Sequence, residues 1–527
     1  MEGEAVANRL VRSLFATGGM TLISRITGFV RDILLARLLG TTALADAFFV
    51  AFRIPSFLRR VFGEGAFSQA FIPVFAAQLH KEGPLAEDEA RAFVDHMAGS
   101  FALVLLGVTA VGVLAAPVVI WVLAPGFLAD PAEYHLAVHL LRITFPYLFF
   151  ISLVAMAAGI LNTRGRFAAA AFTPVLLNLS LIVAAGVIAP HSKAPAVTVA
   201  WGVFMGGILQ LMFQVPFLRH TGFLPRLRAS FRHPEVRRVF RLMMPGIFGS
   251  SIAQINLVVD TMLASFLVTG SISWLCFGNR LLEFPLGIFG VALGTVILPH
   301  LSAQHVRASA DGFGQSLDWA LRWVVIIATP AAAGLMVLSM PIIATLYRYG
   351  AFTAFDAAMT ARALVAFAVG LPAFVLIKVL APGYYARQDT RTPVKIGVIA
   401  LVANMVFNVI LIWPLAHAGL ALATSLSGIL NAALLYRGLR RTQVYQPGPG
   451  WRRLWLQVGG ATLAMAALLW PAHRVSAGFF MASGGHRALT LAAWIAAGLG
   501  AYGTVMWLLG VRFKALRLRS IVTNEDV

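Results

Sequence analysis

Cysteine is nearly absent. Cys276 is the single one, which excludes an intramolecular disulfide and any multi-cysteine metal site. Acidic residues are scarce too, 21 Asp and Glu against 41 Lys and Arg in 527 positions. The chain has no DxxD-type cluster, no HExxH and no phosphate-cradling glycine loop, so a metal-dependent enzyme or a nucleotide-binding domain lacks its parts. His135 and His139 have the i, i+4 spacing of metal ligands but no third ligand to join them, and no metal is expected. Short alternating segments are missing, which argues against an outer-membrane barrel. The N-terminal MEGEAVANRLVRSLF carries acids and no small-residue cleavage site, so no removed signal peptide is expected.

What fills the chain instead is hydrocarbon. With 59% hydrophobic residues, 12% charged residues and a mean hydropathy of +0.82, it is far too apolar for a soluble domain. The pattern is that of an all-α polytopic membrane protein, because the apolar runs reach the roughly 20 residues a helix needs to cross the bilayer. Fourteen spans are expected, at 13–38, 43–78, 92–123, 134–161, 167–189, 196–218, 240–268, 272–300, 319–346, 357–385, 394–415, 418–436, 454–472 and 488–511. Basic residues gather in alternate loops, among them NTRGRF, RHTGFLPRLRASFRHPEVRRVFR, ARQDTRTPVK, the run from Arg437 to Arg453 and the tail VRFKALRLRS. The opposite loops hold only Lys193, Arg348, Arg474 and Arg487, so the positive-inside rule puts both termini in the cytoplasm. Much of the net charge of +20 is therefore a topology signal, with anionic lipid headgroups as its further partner; nucleic-acid binding does not fit it. Trp121, Trp413 and Trp470 near span ends read as interfacial anchors, and Pro174, Pro245 and Pro393 as helix-start residues.

Four arginines break the rule that spans exclude charge: Arg25 and Arg31 in LISRITGFVRDILLARLL, Arg53 in ADAFFVAFRIPSFL and Arg280 in SWLCFGNRLLEFPLGIFG. A charge at mid-bilayer costs about 2.5 to 3.5 kcal/mol on the lenient insertion scale, so these side chains should face protein or water. Arginine chelates phosphate oxygens with a planar fork, and a cluster of forks with few acids specifies an anionic headgroup such as a diphosphate. Arg25 and Asp32, seven apart, are nearly eclipsed on a helix, and Arg280 and Glu283, three apart, are placed to pair. Gly18, Gly19 and Gly28 in the first span, and Gly63 and Gly65 in the second, are candidate bending points.

The chain also repeats itself. Asp32 and Asp260 are 228 apart, Arg53 and Arg280 as well as Gly63 and Gly290 are 227 apart, and Pro73/Pro299, Pro146/Pro372 and Asn178/Asn404 are each 226 apart. Spans one to six and seven to twelve thus read as two copies of one six-helix unit, inserted in the same sense and suited to alternating access. The expected domains are 1–228, 229–445 and 446–527, the last being an extra helix pair with a cytoplasmic tail.

The segments SRITGFVRDILLARLLG, ADAFFVAFRIPSFLRRVFGEGAFSQAFIPVF and GNRLLEFPLGIFGVALGTVILPHLS resemble the signature segments of the MurJ/MviN lipid II flippase family, in the multidrug/oligosaccharidyl-lipid/polysaccharide exporter superfamily. The resemblance covers the whole chain. It implies two six-helix lobes in a V around a central cationic cavity, with the last two helices forming a groove. It implies a substrate, undecaprenyl-diphosphate-linked disaccharide pentapeptide (lipid II), moved from the cytoplasmic to the periplasmic leaflet of the bacterial inner membrane for peptidoglycan synthesis, and cell-wall synthesis machinery as a candidate partner. Carried over by motif, the substrate-binding residues are Arg25, Arg31, Asp46, Arg53, Arg280 and Glu283. No cofactor is implied; coupling falls to the membrane potential or a monovalent cation. Some members are described with a sodium site using an acid on span seven, matched here by Asp260, although Tyr385, Leu401 and Met405 are poor oxygen donors.

Blander readings stand beside these. Arg37, Arg59 and Arg60 snorkel to headgroups, and Arg142, Arg362 and Lys378 either snorkel or line the cavity. Asp46 either contacts sugar and peptide or caps the second helix. Glu283 reads as an orienter of arginine, Asp260 as a packing acid or an ion ligand, and Asp389 as a loop brace. The competing functions are a superfamily exporter of drugs or polysaccharide-linked lipid, a polyprenyl-phosphate enzyme and a nontransporting scaffold.

Overall fold

The computed structural model describes residues 2–60, 66–80, 86–306, 310–473 and 477–511. Gly63, Gly65, Arg474 and the basic tail from 512 onward lie outside the described residues. Helices follow one another without a strand among the described residues, and the chain divides into two compact units. The first comprises Met1–Ser273 with Tyr349–Phe352, the second Trp274–Arg348 with Thr353–Val527. The division thus falls after Ser273 and not at the expected 228, because α10 packs on α3, α4 and α5; the terminal helix pair groups with the second unit.

The helices are α1 (Glu2–Leu39), α2 (Ala43–Leu58), α3 (Ser68–Leu79), α4 (Ala86–Leu114), α5 (Ala116–Leu123), α6 (Pro131–Thr144), α7 (Tyr147–Thr163), α8 (Phe167–Val183), α9 (Pro195–His220) and α10 (Pro234–Ala264). They continue as α11 (Ser271–Pro285), α12 (Val291–Val306), α13 (Ala310–Val337), α14 (Ser339–Leu346), α15 (Ala354–Ala368), α16 (Leu371–Tyr385), α17 (Arg391–Leu415), α18 (His417–Arg441), α19 (Trp451–His473), α20 (Ala477–Met481) and α21 (Gly484–Leu508). Among the described residues, ten helical stretches are long and apolar enough to cross a membrane. The four expected spans outside that set are α1, α2–α3, α10 and α11–α12, each of which includes residues outside those described in full.

The order of straight and broken helices repeats. A straight helix (α1, α10) is followed by three composites (α2–α3, α4–α5, α6–α7; then α11–α12, α13–α14, α15–α16) and two straight ones (α8, α9; then α17, α18). The matched prolines show why the breaks coincide. Pro146 between α6 and α7 and Pro372 at the start of α16 each lack an N–H, and each ring clashes with the carbonyl four residues back. Pro174 and Pro245 lie inside helices instead of at their starts, since α8 begins earlier at Phe167 and α10 at Pro234.

In a bilayer, helix packing depends on close contact more than on hydrophobic burial, and small residues permit it. On α9, Gly202 and Gly206 form a small-xxx-small face against α8, where an added Cβ would meet the Ala184 Cβ at 2.6 Å and Leu177 at 2.7 Å. In the first unit a phenylalanine stack runs from α3 into α4, with ring centroids 4.3 Å apart for Phe67–Phe101, 5.5 Å for Phe71–Phe75 and 5.8 Å for Phe71–Phe93. In the second unit the Asp318 carboxylate accepts from Tyr445, Trp451, the Gly448 N–H and Arg322, pinning the connection to α19 onto α13. Arg487 at the start of α21, expected in a loop, is buried and donates to the Ala344 carbonyl at the end of α14 at 2.8 Å. Gly202→Leu should therefore lower the thermal stability of the purified protein, by about 1–3 kcal/mol, the usual cost of overpacking. Gly107→Leu, where a Cβ meets nothing within 4 Å, should leave the melting temperature unchanged.

Candidate functional site

The first unit contributes Arg25, Arg31, Asp46 and Arg53, and their environments differ. Arg31 is buried at 8% exposure, so its charge must be answered inside the protein. Its Nε and Nη2 donate to the Asp32 carboxylate at 2.9 and 2.7 Å, and its Nη1 donates to the Asn178 side-chain carbonyl on α8 at 2.8 Å. Asn178 in turn donates to the Ser24 carbonyl at 2.9 Å and to the Thr27 hydroxyl at 3.2 Å. It reaches them across Gly28, where a Cβ would stand 3.3 Å from the amide nitrogen. Asp32 is therefore the partner of its neighbour Arg31 and not of Arg25, as helical spacing alone had indicated. The backbone allows this because adjacent long and short side chains can fold over the same edge of the helix.

Arg25 is half-buried and makes no hydrogen bond or ion pair among the described residues. Arg53 on α2 is also half-buried. Asp46 is 2% exposed, and neither its own helix nor open solvent receives it. Its carboxylate accepts from the Gly270 N–H at 2.7 Å, the Ser273 N–H at 2.9 Å and the Ser273 hydroxyl, which makes it the N-terminal cap of α11. An anion at that end also meets the positive pole of the helix. The expectation that Asp46 caps the second helix is corrected: it lies in the first turn of α2 but caps α11. Near it, Glu133 is buried and its Oε1 has no partner.

The second unit contributes Arg280 and Glu283 on α11. Arg280 Nη1 lies 3.0 Å from one carboxylate oxygen of Glu283, and Asn279 donates to the other at 3.2 Å. Both pair members remain open, at 39% and 43% side-chain exposure, so the guanidinium is oriented without being enclosed. Asp260, near the end of α10, is half-buried. On α17, Asn404 and Asn408 are both fully buried and joined by a 3.1 Å bond that leaves the Asn404 amide nitrogen without a partner. Tyr385 is exposed, and Leu401 and Met405 are half-buried. Arg37, Arg142, Arg362 and Lys378 are exposed, Arg59 is half-buried and Arg60 reaches Gln254 at 3.2 Å. Asp389 braces the start of α17 by accepting from the Thr392 N–H at 3.0 Å, and the hydrogen bonds from Thr392 hold its carboxyl below the usual carboxylate range.

Sequence reasoning missed Asn178, Asn279 and Ser273 as partners. Asn178 was visible only as a repeat marker, and Asn279 and Ser273 carry no signal that separates them from ordinary polar residues.

These features define a class, a multi-pass helical membrane carrier made of two similar six-helix sets with cationic side chains held inside apolar helices. A sequence profile for the family described as Lipid II flippase MurJ matches residues 35–484. The chain is 46% identical to a probable lipid II flippase MurJ of Vibrio cholerae, covering 97% of this chain and 98% of that one, and 42% identical to a lipid II flippase MurJ of Burkholderia cenocepacia, covering 97% and 99%. Among solved structures, a lipid II flippase MurJ in an inward closed conformation superposes with a TM-score of 0.80 at 28% identity, over 95% of this chain and 99% of that one. An inward-facing multidrug resistance transporter of the MATE family shares the fold, with a TM-score of 0.66 at 13% identity over 82% and 98%. The chain belongs to the MurJ lipid II flippase family.

If Arg31 and Asn178 form a structural pin, each single substitution, Arg31→Met or Asn178→Leu, should destabilise by roughly 1.5–3 kcal/mol, the value of a hydrogen bond to a charged group. The double variant should lose clearly less than the sum in thermal unfolding, because the second change removes a partner already orphaned. Additive losses would mean that the two side chains act separately.

Proposed function

We propose that the protein is a lipid II flippase. It carries undecaprenyl-diphosphate-linked disaccharide pentapeptide from the cytoplasmic to the periplasmic leaflet of a bacterial inner membrane by alternating access, with both termini cytoplasmic. End-to-end similarity to proteins of that name supports the reading. The observation that carries the chemistry is Arg25, a guanidinium half-buried in an apolar helix with no acid bonded to it among the described residues.

On this reading Arg25, Arg53 and Arg280 bind the diphosphate, each offering a planar fork to its oxygens. Glu283 holds Arg280 in position, and Asp46 fixes the helix that carries both. Arg31 has three of its N–H groups engaged by Asp32 and Asn178, which makes it a positioning residue for α1 with the remaining N–H groups left for substrate. The anion cancels repulsion among the arginines and so permits the carrier to close. A cytoplasm-negative potential then favours outward movement of negative charge, by about 2.3 kcal/mol per charge per 100 mV. Return of the empty carrier is assigned to a monovalent cation at Asp260. Asp260 is the acid that matches Asp32 in the second repeat, where Val259 stands in the place of Arg31.

The test is depletion of the native protein and rescue by Arg25→Glu or Arg280→Glu, with the leaflet occupied by the lipid-linked precursor as readout. Neither variant should externalise it, and Arg25→Lys should rescue partly, since charge survives and the fork does not. Normal externalisation by the charge-reversed variants at wild-type expression would remove the proposed site.

A further inference from the structure

A second cationic site lies apart from these arginines, at the end of the first unit where α9 and α4 leave their apolar stretches. After α9 ends at His220, the chain runs without helix from 223 to 230 along the N-terminal half of α4. It is pinned there by its backbone. The Asp95 carboxylate accepts from the Arg226 N–H at 2.7 Å, the Asp95 carbonyl from the Arg228 N–H at 3.3 Å, and the Ser100 hydroxyl from the Ser230 N–H at 2.9 Å. His96 contacts the Arg228 carbonyl at 3.2 Å. Gly99 makes the approach possible, since a Cβ there would lie 2.6 Å from the Arg228 nitrogen. Phe223 anchors the near end, buried edge-on against Phe75 at 5.4 Å.

Leu224, Arg226 and Arg228 line one cavity of about 360 Å³, with Arg91, Asp88 and Asp95 on its α4 wall. The charges do not cancel. Arg91 pairs with Glu87 at 3.2 Å and Asp88 at 3.8 Å, and one Asp95 oxygen is taken by the Arg226 N–H. The Arg226 and Arg228 guanidiniums have no acid partner among the described residues. Two forks held on a fixed ribbon make a site for a phosphate.

We propose that this cavity binds the headgroup phosphate of an anionic phospholipid. A lipid is favoured over a soluble phosphate by the apolar side chains around the site. Leu224 lines the cavity and is 42% exposed, and Leu227 and Phe231, 70% and 49% exposed, follow it in the chain outside the lining. Leucine and phenylalanine beside arginine at the end of membrane-crossing helices is the composition of a segment lying in the headgroup layer. The site is distinct from the diphosphate site and does not depend on what the carrier transports.

The experiment uses the full-length protein in an uncharged detergent, titrated separately with dioctanoyl phosphatidylglycerol, dioctanoyl phosphatidylcholine and glycerol 3-phosphate, with bound ligand counted by native mass spectrometry. Phosphatidylglycerol should saturate a site that Arg226→Ala/Arg228→Ala weakens by about tenfold or more, as expected for loss of charge-assisted bonds. Arg226→Lys/Arg228→Lys should retain most of it. Both side chains are exposed and unpaired, so the melting temperature of the double alanine variant serves as the folding control. Equal binding of phosphatidylglycerol by wild type and the double alanine variant would overturn the proposal, as would equal binding of phosphatidylcholine. Glycerol 3-phosphate binding as tightly as the lipid would show a soluble phosphate ester as the ligand and reject the lipid.

Discussion

A guanidinium inside an apolar helix must be answered by an acid, an amide, water or a ligand, because charge in hydrocarbon costs several kcal/mol. The arginines of this chain are answered in three different ways. Arg31 is closed off by Asp32 and Asn178. Arg280 is held by Glu283 yet stays open. Arg25 has neither an acid nor an amide bonded to it among the described residues. The gradation distinguishes these arginines from one another more sharply than their presence in apolar helices does.

Closure of Arg31 has a geometric consequence. Asn178 binds the guanidinium with its carbonyl and α1 with its amide, so α1 and α8 are locked at the level of Ser24, Thr27 and Gly28. Arg25 lies within that stretch. The pin therefore sets the height and rotation at which Arg25 is presented, much as Asp46 sets the start of α11 and with it Arg280 two to three turns further on. Buried polar groups that look redundant beside the arginines act by fixing where the arginines stand.

The sequence made the helical class, the repeat and the Arg280–Glu283 pair legible, because each follows from local periodicity or from a constant offset. The breaks at Pro146 and Pro372 follow from the same logic, since a proline within a helix carries its effect wherever the fold places it. The partners of Arg31 and Asp46 were not legible. Asn178 is 147 residues from Arg31, and Ser273 is 227 residues from Asp46, and nothing local in either stretch marks a bond across that separation. Spacing on one helix favoured Arg25 as the partner of Asp32, yet adjacency won, since Arg31 already had to be buried against α8. The boundary of the compact units was hidden for a related reason. The repeat begins a new copy at α10, whereas the packing of α10 on α3, α4 and α5 assigns it to the first unit.

The two copies differ where their likeness is most instructive. Asp32 and Asn178 have their counterparts in Asp260 and Asn404, but Arg31 is answered by Val259. In the first copy an arginine satisfies both the acid and the amide carbonyl. In the second copy Val259 stands at the arginine's place, and the Asn404 carbonyl accepts from Asn408 while its amide nitrogen has no partner among the described residues. A buried N–H donor left unpaired costs of order 1–3 kcal/mol. The fixed joint that the Arg31 guanidinium makes between α1 and α8 therefore belongs to the first copy, and it is a difference between two otherwise similar halves that the repeat alone does not show.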